Sequence, residues 1–189
     1  MGKRKLPIIL DVEEGNMLLK VPSTRCPTGV RNKAIMSLML FCGLKLSEVV
    51  NLKPRNINFT EGVLRIINIK FGKDREIPMS EYTQSLLRGW KEIRPKGGYY
   101  FTTLKGGKIS PEYIEAFVQR YSKKAGIHKK ISPQTLRHSY ATEFYRRTKD
   151  IEALKKVLGH AYIDTTNIYI TLANIEIGRP MKTFSGFNA

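Results

Sequence analysis

Acidic residues, cysteines and long apolar runs are what this chain has least of. Asp and Glu number 16 against 33 Lys and Arg in 189 residues, a formal net charge of +17. That imbalance implies a polyanionic partner, most often nucleic acid; the plainer alternatives are a solvated basic surface or a ribosomal-type protein. The two cysteines, Cys26 and Cys42, form no Cys-x-x-Cys, and only three histidines accompany them. A disulfide scaffold is therefore excluded, no metal-ligand spacing appears, and no cofactor or metal is expected. Both cysteines suit a reducing cytosol as small apolar side chains. The longest apolar stretch, AIMSLMLFCGL, is far short of a membrane span. The start, MGKRKLPIILDVEE, is basic, but its apolar run is four residues long and ends at Asp11, which is no signal peptide. There is no fixed-period repeat, no low-complexity segment and no Lys/Arg block. Basic residues dispersed through folded-looking segments fit a contoured groove better than a disordered tail.

What is present reads as mainly helix with a small antiparallel sheet. Asp11 caps a helix running to Leu19, with Glu13 and Glu14 at its positive end. From about Thr28 a strongly apolar helix carries Ile35, Leu38, Met39 and Cys42 on one stripe and stops at Gly43, the expected central core helix. Ser47 opens a short helix that Pro54 ends. NINF, VLRIINIK and REIPM, separated by the turns TEG and FGKD, read as three short antiparallel strands. Ser80 caps a helix to about Glu92 carrying Leu86, Leu87 and Trp90, and YYFTT reads as a short extended piece. Ser110-Pro111 and Ser132-Pro133 each place a cap residue and a first-turn proline at a helix start. The second of these helices puts Arg137 and His138 in its opening turn. Asp150 caps IEALKKVLG and Asp164 caps TTNIYITLANI.

Five stretches then stand in a telling order: GLKLSEVVNLK, KFGKDREIPM, TLRHSYAT, LGH and TTNIYI. Arg137 precedes His160 by 23 residues, and His160 precedes Tyr169 by nine. On these motifs the chain resembles the tyrosine recombinases, or phage-type integrases, in particular the catalytic domain of the Xer-like members, over about Leu6 to Leu172. The resemblance implies an α+β fold, mainly helical with a three-stranded antiparallel sheet. It implies one catalytic domain over 1–189, with 173–189 as a C-terminal tail. The separate N-terminal DNA-binding domain usual in the family is expected to be absent.

The implied activity is site-specific cleavage and rejoining of double-stranded DNA through a 3′-phosphotyrosine, by protomers that assemble as a tetrameric ring on DNA in the cytoplasm. A side-chain nucleophile stores the bond energy of the cleaved phosphodiester, so the free 5′-hydroxyl can reverse the step. Negative charge gathering on the non-bridging oxygens calls for fixed cations and donors, and the leaving oxygen calls for a proton. By resemblance Tyr169 is the nucleophile, against the alternative of a core tyrosine between Ile168 and Ile170. Arg137 is the phosphate clamp, with a guanidinium able to grip two oxygens. His160 is a donor to the phosphate or a partner of the nucleophile, against the alternative of a helix C-terminal cap. Lys70 in the hairpin turn is the general acid, with Lys73 as its competitor. Glu48 orients a neighbouring basic group. His138 is a structural residue beside the site or, with Lys73, Arg75 and Arg55, a DNA contact.

Two positions depart from the family pattern. Lys45 stands where the family carries an arginine, and Gln134 stands where it carries a histidine. Lysine keeps the charge but loses the planar fork; glutamine keeps a donor but carries neither charge nor a shuttled proton. Losing one such donor costs about 3 kcal/mol, roughly a hundredfold in rate. The second reading is therefore a catalytically silent DNA-binding relative, unless neighbours such as Arg31 or Arg55 compensate. A type IB topoisomerase-like enzyme, which shares this chemistry, is the third.

Overall fold

The structure is a computed structural model that describes residues 6–67, 74–159 and 166–175. Its elements follow in chain order: α1 (Val12–Lys20), α2 (Pro27–Phe41), α3 (Leu46–Asn51), a 3-10 turn (Pro54–Asn56), β1 (Ile57–Asn58), β2 (Val63–Ile66), β3 (Arg75–Pro78), α4 (Glu81–Ile93), α5 (Pro111–Lys124), α6 (Pro133–Thr148), α7 (Ile151–Leu158) and α8 (Ile168–Ile175). The fold is mostly helical, and its antiparallel sheet has the order β1-β2-β3, in the register Ile57 opposite Leu64 and Leu64 opposite Ile77.

Local chemistry explains most helix starts. The hydroxyls of Ser80, Ser110 and Ser132 and the carboxylates of Asp11 and Asp150 each accept an amide of the first turn. These amides have no intrahelical partner, so each cap satisfies one of them. Asp11 and Glu14 complete a reciprocal capping box. The helix expected from Ser47 instead begins at Leu46, because the Glu48 carboxylate turns back to accept the Lys45 amide at 2.8 Å. Asp164 lies outside the described residues.

α2 is the pillar of the molecule. It is buried on nearly every side, from Ala34 through Phe41, and packs against α1, α3, α4, α5 and α6. Three of its polar residues, Arg31, Asn32 and Ser37, are buried too, which reassigns Arg31. That guanidinium donates to the Thr102 carbonyl at 2.8 Å and the Tyr113 hydroxyl at 2.8 Å, and lies over the Tyr113 and Trp90 rings. Arg31 is thus a core strut and does not compensate for Lys45 or Gln134.

The stretch read as extended at YYFTT forms no strand; Thr102 makes one isolated bridge with Lys108. Tyr100 and Phe101 turn into the core, where the Tyr100 hydroxyl donates to Leu87 O and the Trp90 indole donates to Tyr100 O. A second, smaller apolar cluster gathers Ile9, Tyr140, Ala141, Leu154, Leu158, Tyr169 and Leu172. It joins α6, α7 and α8, and it supports the candidate site.

Candidate active site

Three segments distant in sequence meet at one carboxylate. Glu48, on α3, presents Oε2 to the Lys45 backbone amide and, at 2.8 Å, to Nη2 of Arg75 on β3. Arg137, from α6, comes no nearer to that oxygen than 4.0 Å. The side chains are largely withdrawn from solvent: Glu48 is 16% exposed, Arg75 10% and Arg137 2%.

Arg137 stands in the second turn of α6, which begins at Pro133, beyond the free amides of the helix start. Its guanidinium reaches the ends of two other helices, donating to Gly43 O just past α2 and, at 2.8 Å, to Leu158 O at the end of α7. Arg75 Nε donates to the neighbouring carbonyl, Val157 O, at 2.7 Å. Carbonyls at helix C-termini lack intrahelical donors and carry partial negative charge, so two guanidiniums together cap α7. The chain leaves α7 through Gly159, which takes a left-handed φ of +63°; a Cβ there would lie 2.9 Å from Arg75 Nη1. Burial lowers the Arg137 pKa, while Glu48 and Tyr169 pull it back up. An arginine keeps its proton under such conditions, so a buried positive charge is fixed in place.

Tyr169 is 1% exposed, with its ring in the small apolar cluster. Its hydroxyl is not in an apolar void: it lies 2.9 Å from His138 Nδ1. Burial pushes the phenol up to about 12, with Arg137 drawing it down. Burial, followed by the charge of Arg137, holds His138 down at about 4. The imidazole is therefore neutral near pH 7. The arrangement sets a phenol against a neutral imidazole, beside a fixed guanidinium.

Lys45 and Gln134 lie on the outer side. They share the wall of a cleft of about 730 Å³ with Val50, Lys108 and Pro111. Gln134 is exposed whereas Arg137, one turn later on the same helix, is buried. Lys45 is half-buried and held below the ordinary ammonium value by burial, then by Arg137; Glu48 raises it. Lys108 donates to Asn51 at 2.7 Å, and no sequence signal had singled it out. Arg55 is exposed and lines a different, smaller cleft with Asn58, Glu61, Arg65 and Glu76. Arg75, expected as a DNA contact, is occupied by Glu48 and Val157. His160, Lys70 and Lys73 fall outside the described residues. Among the described residues no group of three His, Cys, Asp or Glu side chains could hold a metal ion, and no helix is long and apolar enough to cross a membrane.

The sequence matches the phage integrase family over residues 9–175. It is 34% identical over 173 residues to the tyrosine recombinase XerC of Xanthomonas campestris, covering 89% of this chain and 52% of that protein. It is 33% identical over 176 residues to XerD of Ralstonia nicotianae, covering 89% and 57%. The chain thus spans about half the length of the curated relatives it matches. In structure it resembles XerA recombinase, with a TM-score of 0.81, 27% identity and coverage of 96% of this chain and 67% of the other. XerH recombinase, solved with palindromic difH substrate in a post-cleavage complex, gives a TM-score of 0.79, 27% identity and coverage of 92% and 52%. Lambda integrase, at 17% identity and a TM-score of 0.74, shares the fold. With the match running from the segment before α1 to the end of α8, and so across every element that carries the site, this chain belongs to the phage integrase family.

Proposed function

We propose that this chain is the catalytic part of a site-specific DNA recombinase that cuts and rejoins double-stranded DNA through a 3′-phosphotyrosine. The observation that carries the reading is the Tyr169 hydroxyl, kept on His138 beside the buried cation Arg137 instead of being lost in the core. The Tyr169 oxygen attacks the phosphorus, the bond to the 5′-oxygen breaks, and the phenol proton passes to a base. Neutral His138 is the acceptor already in contact with it. Arg137 steadies the anionic transition state, with Lys45 and Gln134 as outer donors. His160 and Lys70, or Lys73 in its place, supply the remaining donor and the proton for the 5′-oxygen; these roles follow the family motif. No nucleotide cofactor is needed, since the covalent link stores the bond energy. The partner is duplex DNA in the cytoplasm, with four protomers assembled on it. A catalytically silent relative draws no support from similarity to proteins that are recombinases by name.

The test uses a pool of nicked duplexes with a randomised core, from which a cut strand cannot be religated. Wild type is expected to accumulate a detergent-stable protein–DNA adduct and Tyr169→Phe none. An adduct that persists in Tyr169→Phe would refute the nucleophile, and no adduct with either protein would refute the activity.

A further inference from the structure

We infer that Lys108 holds a DNA backbone phosphate one or two nucleotides from the scissile one, in the cleft it shares with Lys45 and Gln134. This rests on the function proposed above and extends it to a residue outside the five motif stretches. The cleft opens onto the catalytic cations, because Lys45 lines it and the charge of Lys45 interacts with those of Arg137 and Arg75. No carboxylate is among the described residues that line it; Glu48, which also acts on Lys45, is not one of them. The cleft at Arg55 differs, being lined by Glu61 and Glu76, with Arg65 paired to Glu76 at 2.7 Å. Beside its two lysines the Lys108 cleft has apolar walls from Leu46, Val50, Ile109 and Pro111. A run of sugar and phosphate fits such a surface, with deoxyribose on the apolar walls and a phosphate at each cation.

Lys108 is held in place in advance. Its backbone pairs with Thr102 in an isolated antiparallel bridge, closing a turn in which Thr103 N donates to Gly107 O at 2.8 Å. Its ammonium donates to Asn51 Oδ1 at 2.7 Å and lies 4.8 Å from the centroid of the Tyr99 ring. An ammonium has three donors, so others remain for phosphate oxygens. A side chain already placed also loses less conformational freedom on binding. The separation from Lys45 decides which phosphate is met. Lys45 precedes α3 and Asn51 is the last of its six residues, so the two stand about 9 Å apart along the helix axis. That is wider than one phosphate group. Successive phosphates of a strand advance by about 3.4 Å along the duplex axis, and further along the winding strand itself. Lys45 therefore meets the scissile group, and Lys108, tied to Asn51, meets a neighbour of it.

Duplex binding across a salt series tests this. Lys108→Gln keeps an N–H for Asn51 but carries no charge. On duplexes with a randomised core it is expected to raise Kd about three- to tenfold and to reduce the slope of log Kd against log salt by about one. Lys108→Arg should keep the wild-type slope, and so should Lys20→Gln, at an exposed lysine on α1. The adduct rate at saturating nicked DNA should change less than about twofold in Lys108→Gln, because the lost contact serves ground and transition state alike. Nicked duplexes recovered from wild-type adducts, in which the cut phosphate is known, then locate the contact. A neutral methylphosphonate replaces each of the two phosphates on either side in turn. At one position it should weaken wild type by the same factor but Lys108→Gln by less than about twofold, since the charge it removes has already lost its partner. Four results would overturn the inference. They are an unchanged Kd and slope in Lys108→Gln, an equal loss in Lys20→Gln, a slowed saturated rate at unchanged Kd, or methylphosphonate losses equal in both proteins at every position. Thermal unfolding identifies a variant that has lost the fold; Lys108→Met, which keeps the apolar stem over Tyr99, then takes its place. A wild type that binds duplex without forming an adduct refutes the recombinase reading instead, while the Kd and salt results still decide on Lys108.

Discussion

Gly43 offers the sharpest test of how the site is held. It follows α2 with φ of +64°, and its carbonyl receives Arg137. A Cβ placed there would lie 2.3 Å from Tyr140 Cδ1 and 2.6 Å from Cε1, with Leu158 Cδ2 at 3.3 Å. Alanine therefore meets two separate penalties. The left-handed backbone costs an L-residue about 1–2 kcal/mol. Forcing a methyl group into the face of a buried aromatic ring costs about 1–3 kcal/mol more, since Tyr140 is held among Ala141, Leu154 and Leu158 and has little room to retreat. For a chain of this length each kcal/mol shifts Tm by about 2–4 °C. Gly43→Ala is thus expected to lower Tm by roughly 5–15 °C in thermal unfolding followed by circular dichroism. The two penalties separate in a Tyr140→Leu background. There the ring is gone, so adding Gly43→Ala should cost only the backbone part, about 1–2 kcal/mol. A Gly43→Ala protein within 2 °C of wild type, about half a kcal/mol, would refute the argument. An equal loss with and without the Tyr140 ring would refute the steric half.

Three further outcomes follow from other buried groups. The raised Tyr169 pKa gives a stabilisation fully present below the ordinary tyrosine value near 10 and lost as pH rises through about 12. The unfolding free energy of wild type relative to Tyr169→Phe should therefore drop by about 3 kcal/mol over that window; a difference independent of pH would contradict the burial of the phenol. His138 has the opposite sign: its depressed pKa gives stability present above about 6.5 and lost as pH falls through about 4, so His138→Gln should flatten the acid limb of the stability curve. Arg31→Met should destabilise by about 2–4 kcal/mol in urea unfolding, because Thr102 O and the Tyr113 hydroxyl lose their buried donor. It should leave the adduct rate per folded molecule unchanged; a slowed rate at full stability would return Arg31 to the site.

Helix starts were legible because their causes are local. Ser110-Pro111, Ser132-Pro133 and Asp150 each act on an amide three residues away, and a linear reading sees that range. The reading failed where a side chain answered to something further off. At α3 the hydroxyl of Ser47 is the local cap candidate, but the Glu48 carboxylate and the Lys45 amide set the start. Tyr100 and Phe101 look like strand residues, yet both are buried, with Tyr100 hydrogen-bonded to Trp90 and Leu87, and neither joins a ladder. Glu48 was legible as an orienting group, but which cation it would hold was not.

By itself the sequence determined the chemical vocabulary of this protein: a strong excess of positive charge, no metal-ligand pattern, and a phenol, guanidinium and imidazole at the spacing of one family. Those properties depend on residue types and on short intervals along the chain. Only the tertiary structure decided which cations serve which purpose. Arg31 meets Thr102 and Tyr113, 71 and 82 residues away, and becomes core. Arg75 meets Glu48 across 27 residues and Val157 across 82. Arg137 meets Gly43 across 94. Arginines are alike until burial and a fixed set of acceptors distinguish them, and those acceptors are assembled only when the helices pack.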